Sequence, residues 1–216
     1  MSLKYGLIGA SGRMGQEISA VFHEAGNESV LSFDVNGEQV SGQPEVIVDF
    51  SLPSAFATTM EYVRKYKVPL VMGTTGLSDA QLAEIKELCA FVPVVQSYNY
   101  SLGVQMMLRC IETVKQHLKN WDVEITETHH RFKKDKPSGT AIMMKTSLGK
   151  EAPIASLRLG NVPGIHTITF ASLGETFSIE HSATSRRTFA EGALLSAQFI
   201  VGKQPGLYSF KDVVAG

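Results

Sequence analysis

The sequence predicts an α/β fold in which a doubly wound parallel sheet is followed by a second α+β domain with a mixed, open sheet. Over the first hundred residues, short apolar runs alternate with amphipathic ones, which is typical of strands joined by crossover helices. From Ser101 the pattern changes to one long amphipathic segment followed by β-rich runs. This change predicts a second domain.

The strands of the first domain are short and apolar, and they are predicted at residues 4–8, 30–33, 46–50, 69–72 and 92–95. Met14, Ile18, Val21 and Phe22 recur at helical spacing after the first strand, and Gly26 is the expected end of that helix. The segment 78–81 has the spacing of a capping box, which predicts a helix that begins there and runs through Cys89.

The second domain is predicted to begin with a long helix, whose apolar positions are Val104, Met107, Leu108, Ile111, Val114 and Leu118 and which ends before Asn120. A strand at 122–128, a helix from about Thr140 and β-rich runs at 156–159, 166–171 and 176–183 follow. Apolar residues at 188–201 predict a helix that returns to the first domain. We therefore expect a dinucleotide-binding domain at 1–101, completed by 188–216, and a second domain at 102–187.

The formal net charge of −1 argues against nucleic acid or an anionic membrane as a partner, so any anion site must be local. No run approaches the roughly 20 apolar residues of a membrane helix, and no signal peptide is expected. Cys89 and Cys110 lie in apolar helical patterns. We expect both to be reduced, buried thiols, as in a cytoplasmic protein.

A glycine-rich turn, Gly9 to Gly15 (GASGRMG), separates the first strand from the first helix. Such a turn lets backbone amides approach a pyrophosphate, but its spacing is not the usual G-x-G-x-x-G, and a structural turn is the alternative. Asp34 ends the second strand, about 20 residues on, where a carboxylate accepts hydrogen bonds from ribose hydroxyls; otherwise it is an ordinary turn acid. No Arg or Lys follows Asp34 closely. NADH is therefore slightly favoured over NADPH.

Two further segments follow strands and are expected at the carboxyl edge of the sheet, where such domains bind ligands. These are 73–76 (GTTG) and 97–101 (SYNYS). The first is equally compatible with a simple strand-to-helix turn. In the second, Asn99 or Ser101 could serve only to cap the next helix.

The segment from His129 to Thr140 (HHRFKKDKPSGT) places two imidazoles, four cations and a helix start within a dozen residues. Its cations, Arg131, Lys133, Lys134 and Lys136, form a local anion site. Ser138, Gly139 and Thr140 offer hydroxyls and amides that suit a carboxylate or a phosphate. An imidazole passes a proton near neutral pH, and a lysine donates one. We therefore expect the active site here.

Metal binding is the other use of paired histidines, but adjacent residues chelate poorly and no nearby Cys or Glu completes a set, so no metal site is expected. Strand geometry would point His129 and His130 to opposite faces, so only one would reach a given atom. Arg186 and Arg187 are interpreted either as substrate contacts or as a solvated pair.

The chain resembles the dihydrodipicolinate reductase family of the diaminopimelate route to lysine. The resemblance rests on 9–15, 48–53 (VDFSLP), 73–76, 99–104 (NYSLGV) and above all 127–141 (ETHHRFKKDKPSGTA), and it continues through 164–167 and 185–193. It thus covers nearly the whole chain.

The resemblance implies a cytoplasmic homotetramer with a Rossmann-type domain for NADH or NADPH and a domain for a small dicarboxylate substrate and oligomerisation. It implies reduction of 4-hydroxy-tetrahydrodipicolinate to 2,3,4,5-tetrahydrodipicolinate in amino-acid biosynthesis. His129 would be the general acid/base and Lys133 the proton donor, with His130, Ser138, Gly139 and Thr140 binding substrate. The implied cofactor contacts are Gly9, Ala10, Ser11, Gly12, Arg13, Met14, Asp34, Gly73, Thr74, Thr75, Ser97, Tyr98, Asn99 and Tyr100.

Two segments depart from the family pattern: the link between Asp34 and Val46 is short, and 150–161 is trimmed. They leave open the strand count and the adenosine pocket. The alternatives to this function are another two-domain nicotinamide enzyme, such as a homoserine or aspartate dehydrogenase, and a non-catalytic NAD(H)-binding module. Neither has an evident need for the block 129–140.

Overall fold

The structure is a computed structural model that describes residues 2–216. It divides into two compact units, one made of the chain up to Tyr100 together with Arg187–Gly216, the other of Ser101–Arg186. Within 2–216, no helix combines the length and the apolar character needed to cross a membrane.

The first unit is built on a seven-stranded sheet. Its strands are β1 (Lys4–Ile8), β2 (Glu28–Asp34), β3 (Gly37–Val40), β4 (Val46–Asp49), β5 (Leu70–Met72), β6 (Pro93–Gln96) and β11 (Gly206–Tyr208). They lie in the order β11-β6-β5-β4-β1-β2-β3 and all neighbours are parallel except β2 and β3. This confirms the doubly wound α/β fold.

Helices cover both faces of this sheet because its central strands are apolar on both sides. The helices are α1 (Arg13–Glu24), α2 (Phe56–Tyr66, after a 3-10 turn at Pro53–Ala55), α3 (Asp79–Leu88), α6 (Arg187–Ile200) and α7 (Phe210–Ala215). Val46 and Val48 of β4 pack in the same core as α1, α6 and α7, whereas Ile47 packs with α2 and α3. Because successive side chains of a strand point to opposite faces of the sheet, β4 contributes to two separate cores.

Several elements of this unit were not predicted from the sequence. The link between Asp34 and Val46 carries β3, which pairs with β2 in a hairpin with a two-residue turn at Val35 and Asn36. All residues of β3 are exposed, so no apolar alternation marks the strand, although Asn36-Gly37 is a hairpin-turn signal. Also missed were α2, β11 and α7.

The second unit contains a four-stranded mixed sheet covered on one face by two helices. Its elements are α4 (Leu102–Val114), β7 (Asp122–His129), α5 (Gly139–Leu148), β8 (Ile154–Arg158), β9 (Gly164–Ala171) and β10 (Thr176–Ala183). The strands lie in the order β10-β9-β7-β8, and only β7 and β8 are parallel. A core that includes Val104, Met144 and Phe170 joins helices and sheet. The trimmed segment 150–161 therefore still supplies a strand, β8.

Two local expectations were wrong. The helix α4 ends at Val114, with turns rather than helix up to Leu118, so it is shorter than expected. Cys89 is buried at the end of α3, but Cys110 is exposed, because α4 turns Val104, Met107 and Ile111 toward the core. Both thiols are free.

Candidate active site

The glycine-rich turn connects β1 to α1 as expected. Gly9 adopts a left-handed φ of 87° and donates a hydrogen bond of 2.7 Å to the Phe33 carbonyl. Gly12 precedes α1, and no side chain caps the helix start. A methyl group on Gly15 would lie 2.1 Å from the Gly9 carbonyl oxygen, so only glycine lets helix and turn approach this closely. The result is bare backbone at a helix N-terminus, which suits a phosphate.

The Asp34 carboxylate lies beside this turn. It accepts hydrogen bonds from the amides of Asn36 (2.7 Å) and Ser11 (3.1 Å). The amide of Asn36, and then Ser11, hold the pKa of this carboxyl below its usual range. An ionised carboxylate is therefore fixed next to the turn, which fits a ribose hydroxyl and repels a phosphate.

The segment 73–76 lies at the carboxyl end of β5, next to a buried carboxylate that the sequence analysis did not single out. Asp49, the last residue of β4, accepts hydrogen bonds from the hydroxyls of Thr59 (2.7 Å) and Thr74 (2.8 Å) and from the Ser51 amide (2.9 Å). The Thr74 hydroxyl thus helps to fix the strand ends. Gly73 lies against the Phe50 ring, where a methyl group would approach to 2.4 Å.

The segment 97–100 forms a tight turn after β6. The Ser97 hydroxyl donates to the Asn99 carbonyl (2.7 Å), and the Tyr98 side chain is exposed. Tyr100 is buried, and its hydroxyl donates to the Met72 carbonyl (2.8 Å). Because this side chain packs in the core, the predicted contact of Tyr100 with the cofactor would have to be made by its backbone. That contact stays a prediction. Ser101 caps α4, because its hydroxyl accepts a hydrogen bond from the Val104 amide. Helix capping was the alternative role predicted for this residue.

His129 is the last residue of β7, and its imidazole is buried. Its Nδ1 atom is hydrogen-bonded to the Glu127 carboxylate, two residues earlier on the same face of the strand. The carboxylate also forms a bidentate ion pair with Arg158 of β8, at 2.9 and 3.0 Å. Arg158 reaches it because β8 is paired in register with β7, opposite His129.

The ionisation of this cluster follows from burial and charge. Burial raises the pKa of Glu127, but hydrogen bonds from Arg158, Ser156 and His129 outweigh it and lower the pKa to about 2. Burial lowers the pKa of His129, against the opposing pull of Glu127. The pair therefore consists of a carboxylate and an imidazole that is neutral near pH 7.

A second buried imidazole, His166 of β9, lies edge-on to His129, with 4.9 Å between ring centroids. Its Nε2 is 3.2 Å from the Ser138 hydroxyl. Burial, and then the charge of His129, lower the pKa of His166 to about 3. Ligand atoms of Glu127, His129 and His166 lie within 4.8 Å of one another, as a cation site would require. The expectation that no nearby Glu completes such a set was therefore wrong, because β7 and β9 bring these three side chains together. The Arg158 guanidinium already neutralises Glu127, which disfavours a second cation there.

The loop from residue 130 to 137 carries the predicted cations, and Lys133 differs from the others. Its side chain is partly buried and forms an ion pair with Asp135 (2.8 Å), whereas Arg131, Lys134 and Lys136 are exposed. Ser138 then caps α5 by accepting from the Ala141 amide (3.2 Å). Within the second unit, the end of β7, this loop and the start of α5 bring His129, Lys133 and Ser138 into one site.

Other predicted residues are placed as follows. His130 is half-buried, Gly139 is in the first turn of α5, and Thr140 is buried in that turn. Arg187 forms ion pairs with Glu24 (2.6 Å) and Glu191 (3.1 Å), neither of which is part of this site.

The sequence analysis assigned no role to Glu127, Arg158 or His166. The two-residue spacing of Glu127 and His129 on a predicted strand could have identified Glu127 as a partner of His129. Arg158 and His166 come from β8 and β9, and no local signal links them to His129.

These features define a class of protein. A doubly wound domain with a glycine-rich turn and an acidic residue at the end of β2, together with a buried imidazole and a partly buried lysine in a second domain, is typical of nicotinamide-dependent oxidoreductases.

Comparison with known proteins gives the family. Models of the N-terminus and the C-terminus of dihydrodipicolinate reductase match residues 3–100 and 103–214. The chain is 46% identical over 212 residues to the 4-hydroxy-tetrahydrodipicolinate reductase of Thermosipho africanus, covering 98% of both chains. It is 37% identical to that of Xanthomonas campestris, covering 95% of both. The chain belongs to the dihydrodipicolinate reductase family, and it is an NAD(P)H-dependent oxidoreductase.

Solved structures share the fold. A dipicolinate-bound dihydrodipicolinate reductase from Paenisporosarcina sp. TG-14 superposes with a TM-score of 0.77 at 23% identity, covering 98% of this chain and 99% of that one. An aspartate dehydrogenase from Thermotoga maritima gives a TM-score of 0.55 at 13% identity, covering 94% and 98%. The alternative enzyme class named from the sequence thus shares the architecture. The predicted family and fold class are confirmed.

Proposed function

We propose that this protein reduces 4-hydroxy-tetrahydrodipicolinate to 2,3,4,5-tetrahydrodipicolinate with a nicotinamide cofactor, in the diaminopimelate route to lysine. The observation that carries the proposal is the convergence of His129, Lys133 and the α5 start in one site of the second unit. Membership of the dihydrodipicolinate reductase family supports it.

The substrate is a small dicarboxylate, and the start of α5 suits one of its carboxylates. Ser138, Gly139 and Thr140 surround the N-terminus of this helix, whose dipole and amides favour an anion. His130 and the Lys133 ammonium complete the predicted contacts. In this assignment the second domain, 102–187, binds substrate.

The cofactor is assigned to the first domain, 1–101 with 188–216. When bound, the nicotinamide supplies the hydride. Bare backbone from Gly9 to Met14 suits the pyrophosphate, and Asp34 suits the ribose. Residues 73–75 and 97–100 line the same carboxyl edge of the sheet. The ionised Asp34 favours NADH over NADPH, because a 2′-phosphate would face a carboxylate.

The 4-hydroxyl group of the substrate must first leave as water, which gives a conjugated imine. Hydride addition to this imine then leaves an enamine-like anion, which an acid must protonate. Lys133 is assigned as that proton donor and His129 as the general acid/base. The partly buried Lys133 side chain suits this role, because a cation stabilises developing negative charge more strongly where water is partly excluded.

The protein is further proposed to be a cytoplasmic homotetramer. Helices α4 and α5 cover one face of the mixed sheet. The other face exposes polar residues such as Thr167, Thr169, Ser178 and Glu180. This face is the proposed oligomerisation surface.

The test is steady-state kinetics on synthase-generated substrate with NADH and NADPH in parallel. We expect oxidation of both cofactors, with the higher kcat/KM for NADH. His129→Ala and Lys133→Ala should each lower kcat about 100-fold or more while NADH binding persists. Oxidation no faster than without protein would refute the function, and full turnover by either variant would refute that residue's role.

A further inference from the structure

We propose that Glu127 and Arg158 are positioning residues of this active site: together they fix the tautomer and orientation of His129 and hold the loop that carries Lys133. This inference rests on the proposed function. It concerns two residues that form no part of the site predicted from the sequence.

Glu127 fixes the tautomer and the orientation of His129. A carboxylate only accepts hydrogen bonds, so the contact with Glu127 places the hydrogen of the neutral ring on Nδ1. The other nitrogen, Nε2, then remains available for proton exchange. It faces Gly164 of β9, where a methyl group would lie 3.1 Å from Nε2. The glycine thus leaves space in front of the reactive nitrogen.

Arg158 connects Glu127 to the loop that carries Lys133. Beyond its two bonds to Glu127, its Nε donates to the Lys133 carbonyl (3.3 Å) and an Nη to the Asp135 carbonyl (2.5 Å). One guanidinium therefore ties Glu127, the partner of His129, to the backbone of both Lys133 and Asp135. A lysine could not replace it, because an ammonium lacks the planar fork that makes these bonds simultaneously.

The charged and titratable groups that face His129 come from four elements: Glu127 of β7, Arg158 of β8, His166 of β9 and Lys133 of the loop. Only Glu127 is an anion. Removing its charge while keeping its shape therefore has a defined sign: the protonated form of His129 loses its stabilising partner, and its proton affinity falls.

Glu127→Gln is the first test, with Glu87→Gln as a control, because Glu87 is an exposed glutamate of α3 that belongs to none of the proposed sites. We expect Glu127→Gln to lower kcat about 10- to 100-fold, as for loss of an orienting partner behind a functional histidine. KM for NADH should not change. The limb of the pH–kcat profile that reports His129 should move to lower pH, and Glu87→Gln should match the wild type in all three readouts.

Arg158→Lys is the second test, and it separates charge from geometry. It keeps the positive charge but loses the fork, so we expect a lower kcat together with a higher KM for the dicarboxylate, because the loop is no longer held. Thermal unfolding of each variant checks that the protein is folded. If a single variant does not fold, the double variant Glu127→Gln, Arg158→Gln keeps a hydrogen-bonded neutral pair and should show the same loss of kcat.

The outcomes distinguish the two proposals. An active wild type with a Glu127→Gln variant of unchanged kcat and unmoved pH limb overturns the positioning role. An Arg158→Lys variant with wild-type kcat and KM overturns the role of the fork. A wild type that oxidises neither cofactor overturns the proposed function itself.

Discussion

Gly15→Ala is the change for which the structure makes the most direct prediction. Gly15 lies in the first turn of α1, where its Cα faces the glycine-rich turn. An added methyl group would lie 2.1 Å from the Gly9 carbonyl oxygen and 2.6 Å from that of Ala10. Both neighbours are backbone atoms and cannot rotate away. The helix start and the turn must therefore separate by roughly 1 Å to restore ordinary contact.

Two effects oppose each other in the stability of this variant. Alanine is a better helix former than glycine by about 1 kcal/mol, whereas overpacking costs about 1–3 kcal/mol. We expect a net destabilisation of at most about 2 kcal/mol, so the protein stays folded. Cofactor binding suffers more. Losing one charge-assisted hydrogen bond from a displaced amide costs about 1.5–3 kcal/mol, which corresponds to roughly a 10- to 100-fold higher Kd.

Fluorescence titration with NADH measures this Kd, and thermal unfolding measures the stability. Gly174→Ala is the matched control, because a methyl group there meets no atom within 4 Å. It should bind NADH like the wild type. A Gly15→Ala protein with wild-type NADH affinity would show that the close approach of helix and turn does not serve the cofactor.

Three further predictions concern the second unit and the thiols. Ser138→Ala removes the cap of α5 and a contact to His166. It should lower the free energy of unfolding by about 1 kcal/mol, measured by thermal unfolding, and raise KM for the substrate, measured by steady-state kinetics. The pKa of His166 is lowered to about 3, so between that pH and about 6.5 this residue binds a proton in the unfolded chain but not in the folded one. Its contribution to stability should therefore fall as pH drops through this window, by at most about 1.4 kcal/mol per pH unit for this one group. His166→Gln should flatten this dependence in urea titrations, and an unchanged slope would assign it to other groups. A thiol reagent should label Cys110 in the native protein and Cys89 only after denaturation; equal labelling rates would contradict their different burial.

Local signals predicted the helices and strands whose ends or faces are marked by residues close along the chain. The capping box at Ser78 is present, with the Ser78 hydroxyl accepting from the Gln81 amide and the Gln81 side chain accepting from the Ser78 amide. The apolar run of β4 is buried on both faces, as a central parallel strand requires. By contrast, β3 was missed because its exposed residues have no apolar pattern, and the hairpin is specified mainly by its turn and its pairing with β2.

The sequence by itself determined the family and the fold class, and it identified the block from His129 to Thr140 as the candidate active site, because these depend on residues that are close along the chain. It also predicted a helix start after Pro137 that suits an anion. Only the tertiary structure decided which side chains surround His129. Arg158 reaches Glu127 through the register of β7 and β8, and His166 reaches Ser138 from β9. Such contacts depend on strand order and register, which are set by packing of the whole sheet and leave no spacing that can be read from the chain.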